Sequence, residues 1–158
     1  MINKFILIFF FIITTACNFE PIFSQKNKKI FNFSISKVDI SGETIVNTIF
    51  RRGLVNYTKI NSENNYDIEI NSKIIKEVIS RDTKGDPASY KLTLITSVSI
   101  LNNQKEKAKS KYKEVFEYID NDDSFELKQY ESTIKRNLAE NTINKIILNI
   151  ARVRSNAN

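Results

Sequence analysis

The chain has 158 residues, a formal charge of +6, one cysteine, three glycines, two prolines, and neither histidine nor tryptophan. Without histidine, zinc sites and Ser-His or Cys-His catalysis are excluded, and so few glycines leave no room for a phosphate-cradling loop. Lysine outnumbers arginine 18 to 6, and Ile and Asn are abundant. That composition reflects an AT-rich genome as much as a surface built for anions, so net charge says little about partners.

The N-terminus carries the most information. Lys4 supplies a positive start, Phe5–Ile13 is an unbroken apolar run, and Thr14-Thr15-Ala16 leads in small residues to Cys17. This is the layout of a secretory signal. The run is too short to span a bilayer, which needs about 20 residues. Small residues directly before the only cysteine resemble a bacterial lipobox, in which the cysteine becomes the first mature residue and carries lipid on its sulfur and amine. An ordinary signal peptide with a chance cysteine, or an uncleaved N-terminal anchor, is the competing reading. Each buried CH₂ contributes about 0.8 kcal/mol, and stable anchoring takes two or more chains, a requirement that a diacylglycerol group meets. The expected organisation is a signal peptide over residues 1–16, a lipidated N-terminus and polar tether over 17–29 ending in Lys26, Lys28 and Lys29, and one domain over 30–154. With Cys17 lipidated, the folded part has no cysteine left for a disulfide and stands on packing alone.

Phe31–Ile40 reads as a strand. Phe31, Phe33 and Ile35 alternate, then Val38 and Ile40 take the opposite phase, a slip that predicts a β-bulge near Ser36–Lys37. Ser41 is a candidate N-cap for a helix over Glu43–Tyr57, whose Ile45, Val46, Ile49, Phe50, Gly53, Leu54 and Tyr57 share one face. Tyr66–Arg81 alternates as a long strand with Tyr66, Ile68, Ile70, Ile74 and Val78 on one side. Asp82–Ser89 is a hairpin loop. Tyr90–Leu101 is a third strand, Asn102-Asn103-Gln104 turns the chain, and Lys105–Ile119 is a fourth, with Ala108, Tyr112, Phe116 and Tyr118 inward. Phe125–Val153 is a long helix with Leu127, Tyr130, Ile134, Leu138, Ile143, Ile146, Ile147 and Ile150 on its apolar face. The order β-α-β-β-β-α predicts an α+β two-layer sandwich: a four-stranded, mainly antiparallel sheet with both helices on one face and the other face free.

At the cleavage site, Cys17-Asn18-Phe19-Glu20-Pro21-Ile22-Phe23 resembles the mature start of the LPS-assembly lipoprotein LptE family, which commonly opens Cys-Gly-Phe-x-Pro-Leu-Tyr. Phe50-Arg51-Arg52-Gly53-Leu54 is similar to that family's Leu-Arg-Asn-x-Leu, and the element order, the long hairpin with Gly85 and the final helix agree along the whole mature chain. The resemblance implies a non-catalytic lipoprotein of the outer membrane, facing the periplasm. Such a protein partners the LptD β-barrel as a plug and helps to deliver lipopolysaccharide to the cell surface, with no cofactor and no nucleic-acid partner. Asn18, in place of the Asp that retains many lipoproteins at the inner membrane, permits outer-membrane delivery. A structural or chaperone-type envelope lipoprotein is the alternative, and an enzyme would have to rest on carboxylates, Lys, Tyr or Ser, of which no pairing stands out.

Lys105, Lys107, Lys109, Lys111 and Lys113 recur every second residue, a period that puts all five on one strand face about 6–7 Å apart. Such a ladder suits lipid A phosphates or core-sugar acids; equally, lysines on an edge strand prevent sheet-to-sheet aggregation. Arg81, Lys84 and Lys91 flank the hairpin loop and either extend this surface or merely solvate it. Asp120, Asp122, Asp123 and Glu126 lack the glycine an EF-hand turn requires and read as a helix cap. Ile75, Ile79, Ile95, Leu101, Val115 and Ile119 are apolar where alternation predicts polar, either a contact surface or local packing beneath loops.

Overall fold

The computed structural model describes residues 33–59 and 62–155, the side chains of 154 and 155 excepted. The expected signal peptide and tether, Cys17 and Phe31 lie outside the described residues. The elements are β1 (Ser34–Gly42), α1 (Thr44–Leu54), β2 (Asn65–Arg81), β3 (Pro87–Asn102), β4 (Lys105–Ile119) and α2 (Ser124–Ser155). They form one four-stranded sheet in the order β1-β2-β3-β4. The α1 crossover makes β1 parallel to β2, while β2, β3 and β4 form an antiparallel meander.

Where the alternation slips in sequence, the register slips too: Ile35 faces Tyr66 but Lys37 faces Asp67, leaving Ser36 as the extra residue. The slip lets β1 bury Phe33 and Ile35 at its start while Val38 and Ile40 stay in register with Ile68 and Ile70. Ser41 does not cap α1. It lies in β1, where its hydroxyl accepts from Asn71. The cap position falls to Glu43, which makes no side-chain capping bond, and Asn47 reaches back to the Gly42 carbonyl at 3.1 Å. Gly42 is required here: its φ is +112°, and a Cβ would run into the Ser72 carbonyl. α1 ends at Leu54, three residues before the periodicity does, because Tyr57 leaves the helical path to stack on Phe33, with rings 5.1 Å apart and 8° from parallel.

The β2–β3 turn is tied by Asp82, whose carboxylate accepts from the backbone of Lys84 and Asp86 at 2.9 Å. The β3–β4 turn places Asn103 and Gln104 at φ 49° and 63°, the left-handed pair that matches strand twist in a two-residue hairpin. Both long strands therefore meet without slack.

The core lies on one side of the sheet. Tyr66, Ile68, Ile70, Leu92, Leu94, Val98, Ile100 and Tyr118 face it from the strands, Val46, Ile49, Phe50 and Leu54 from α1, and Ile134, Leu138, Ile143, Ile146, Ile147 and Ile150 from α2. Gly53 lets the helices approach, since a Cβ there would stand 2.7 Å from Ile143 Cγ1. The buried stripe of α2 begins at Ile134, later than its periodicity predicts. Leu127 is only half-buried and Tyr130 is 48% exposed. The first turns of this 32-residue helix overlie the end of the β2–β3–β4 hairpins rather than the centre of the core.

Candidate interaction surfaces

The lysine run of β4 is on an edge strand, and the structure splits it. Lys109, Lys111 and Lys113 stand opposite Ser99, Ser97 and Ile95 on the open face. The register then shifts: Ile100 faces Ala108, but Leu101 faces Glu106 and Asn102 faces Lys105. Lys107 is the bulged residue, and Lys105 falls in the opposite phase, beside Asn102. The expected single-face ladder of five is thus corrected to three lysines plus a displaced pair, because a bulge re-aims the side chains beyond it.

Rows across the open face show how charge is laid out. One reads Asp39, Glu69, Ser99, Lys109 and the next Ser41, Asn71, Ser97, Lys111. Acidic groups sit on β1 and β2, and cations on β4, two strand spacings or about 10 Å away. Serines separate them, so the lysines have no carboxylate partner among the described residues. Farther along come Lys73, Ile95, Lys113, then the apolar row Ile75, Thr93, Val115, then Glu77, Lys91, Glu117.

Arg81 and Lys91 do not join this stripe. Lys91 pairs with Glu77 at 2.9 Å, and that hydrogen bond raises its pKa. Arg81 donates from Nη1 to the Gly85 carbonyl at 2.8 Å, bracing its own loop. Lys84 is exposed at the loop tip.

The hairpin end is apolar on both faces. Val78, Ile79, Val115, Phe116, Ile119, Phe125 and Tyr130 are all at least 40% exposed, reaching 79% at Ile119. Ile79 is on show because it bulges: Val78 faces Tyr90 while Ser80 faces Ser89. Alternation singled out Ile79, Val115 and Ile119; Phe116 and Tyr130 were expected in the core, as was Val78. They are exposed because the sheet outruns its helical cover here. Ile75 and Ile95 are half-buried in the rows above, and Leu101 lies at the opposite end of β3.

A polar cluster holds this end to α2. Tyr118 donates its hydroxyl to Glu131 Oε1 at 2.6 Å, and Lys76 Nζ donates to the same oxygen at 2.6 Å. Lys76 lies 3.8 Å above the centre of the Tyr90 ring, which stacks on Tyr118 at 5.5 Å. Burial, reinforced by the bond to Glu131, pushes the Tyr118 phenol well above its ordinary range. Burial also pushes the Glu131 carboxyl up, but the hydrogen bonds from Lys76 and Tyr118 outweigh it and hold it below its ordinary value. Nothing local in the sequence marks Glu131, which is 55 residues from Lys76; a lysine at an inward strand position was the one available signal.

The acidic run before α2 is a cap. Asp123 Oδ1 accepts from the backbone of Phe125 at 2.8 Å and Glu126 at 3.1 Å, and Asn121 bonds the Glu126 carboxylate. Among the described residues no group of three or more His, Cys, Asp or Glu is placed to hold a metal, and no helix is long and apolar enough to cross a membrane.

A sheet ordered β1-β2-β3-β4 with a parallel first pair and two helices on one face defines a fold class that recurs among bacterial lipoproteins. The rare lipoprotein B of Shewanella oneidensis superposes with a TM-score of 0.59 at 12% identity, over 77% of this chain and 98% of that one. A minor lipoprotein of Acinetobacter baumannii gives 0.59 at 13% identity, over 78% and 93%. Lipoprotein B of Nitrosomonas europaea gives 0.55 at 15%, over 79% and 88%. No family model matches the chain, and no curated protein matches it in sequence. At these identities the likeness is one of fold.

Proposed function

We propose that the chain is a lipid-anchored envelope protein that works by binding: held at the periplasmic face of the outer membrane through Cys17, it partners an LptD-like β-barrel in the transport of lipopolysaccharide. The observation that carries this reading is the conjunction of the Cys17 lipobox with a fold shared, over nearly the full length of the matched chain, with a bacterial lipoprotein. The exposed apolar end and the unpaired lysines of β4 support it, since a surrounding protein partner would use both.

Mass spectrometry of the mature protein tests the anchor, which requires a diacylglyceryl group on Cys17. Gentle detergent extraction followed by affinity recovery tests the partner: a large β-barrel is expected to co-purify, and recovery of the lipidated protein alone would favour a structural or chaperone-type lipoprotein instead. Changing Lys109, Lys111 and Lys113, the three lysines that share the open face, to Glu is expected to weaken lipopolysaccharide binding without unfolding the domain. Unaltered binding by the folded triple variant would remove the lysines from the reading.

A further inference from the structure

The start of β1, the start of β2, the β3–β4 turn and the last turns of α2 converge at one end of the domain. Ser34 N–H donates to the Asn64 carbonyl at 2.9 Å, and Asn102 Nδ2 donates to the Asn65 carbonyl at 2.8 Å. A groove of about 570 Å³ runs between Asn64, Asn102, Lys107, Asn149 and Arg152. Lys105, Lys107 and Arg152 are exposed here, as is Lys59 just past Tyr57, against the acids Glu63 and Glu106. Lys105 lies at this end because it opens β4 beside the turn, opposite Asn102, and the bulge takes it off the open face.

We propose that this end of the domain rests on an anionic phospholipid surface, with Lys105, Lys107 and Lys59 among the headgroups; the proposal builds on the anchored reading of Cys17. Three observations point to phospholipid. The chain enters the domain here, so the 16 residues from Cys17 to residue 32, at most about 3.5 Å each, draw this end toward the bilayer. The local charge is cationic, and lysines near an anionic leaflet are attracted within a Debye length. The polar lining is asparagine, lysine and arginine, groups that exchange water for phosphate and glycerol hydroxyls, beside Tyr66, Ala108 and Val153, whereas most of the large exposed apolar side chains suited to a dry protein contact, Val55 and Leu148 apart, gather at the opposite end.

The test uses the full chain as cells process it, reconstituted in phosphatidylcholine vesicles with or without one-third phosphatidylglycerol. The vesicles are treated with a membrane-impermeant amine reagent and each lysine is read by mass spectrometry. Labelling of Lys105 and Lys107 is expected to fall about five-fold on the anionic vesicles and to recover in high salt, as screening requires, while Lys84 in the opposite hairpin labels equally on both. The double variant Lys105→Glu, Lys107→Glu is expected to lose the protection of Lys59. Equal labelling on both vesicle types, equal protection of Lys84, or protection by lipopolysaccharide aggregates but not by phosphatidylglycerol would each overturn the proposal. The mass of Cys17 in the same sample separates the two ideas: an unmodified cysteine with Lys105 and Lys107 still protected removes the anchor and leaves the headgroup contact standing.

Discussion

The two ends of this domain are built by different rules. At the end where the chain enters, backbone carbonyls and asparagine amides close the strand starts onto one another, the surface is polar, and a bulge turns lysines outward. At the hairpin end the sheet runs past its helical cover, exposes isoleucines and phenylalanines on both faces, and is tied to α2 by a shared carboxylate rather than by core packing. Between them lies the continuous core of α1, α2 and the middle of the strands. The difference teaches that exposed apolar surface here follows from geometry: a long meander outreaches the 11-residue α1, and only the first turns of α2 remain to cover it. An apolar end that stays exposed in this way is a candidate contact surface.

The comparison can be broken by mutation. Phe50→Ala, in the fully buried contact of α1, is expected to cost about 3–5 kcal/mol, as cavity-forming core truncations do. Ile119→Ser at the hairpin end should cost no more than about 0.5 kcal/mol, as for exposed positions. Chemical denaturation of both variants measures this, and equal losses would mean that the hairpin end belongs to the core after all.

Glu131→Gln is the next largest effect, about 2 kcal/mol, because Lys76 and Tyr118 lose a charged acceptor. The pH dependence carries its signature. Glu131 has a lowered pKa in the folded state, so its contribution is complete above the unfolded glutamate value of about 4.3 and is lost as pH falls through the lower folded value. The difference between wild type and Glu131→Gln should therefore shrink in acid. Tyr118 has a raised pKa, so the unfolded state ionises first and stability falls as pH rises past about 10. Tyr118→Phe should lessen that alkaline decline, leaving the part due to Tyr57, whose phenol burial also pushes up, and melting curves from pH 3 to 11 would show both limbs.

Gly53→Ala is expected to be destabilising by about 1–2 kcal/mol, since the added methyl meets Ile143 and must push α1 from α2. Gly85→Ala, with open space around it, pays only the strain of its φ of 91°, about 1 kcal/mol. Reversal of that order would place the tighter constraint at the hairpin end.

The element order, the strand phases and the single buried sheet face were legible in the sequence because each strand alternates apolar and polar residues and each helix repeats its apolar residues at 3.6. The bulge at Ser36 was legible for the same reason: apolar Phe33 and Ile35 on one side of it and Val38 and Ile40 on the other reveal the change of phase. The bulge at Lys107 was hidden, because Lys105, Glu106 and Lys107 are all charged and no apolar residue marks which face is inward. Only the register against β3 decided that the five lysines divide between the open face and the entry end. The cap of α1 was misread at Ser41 because a hydroxyl before a helix looks the same whether it caps the helix or serves the neighbouring strand. Likewise, local pattern reads Phe116 and Tyr130 as core, and it has no way to register where a helix stops covering a sheet. By itself the chain determined which residues prefer water and at what period; the tertiary structure decided how far the layers overlap, and hence which apolar side chains remain exposed and which cations gather where the chain enters.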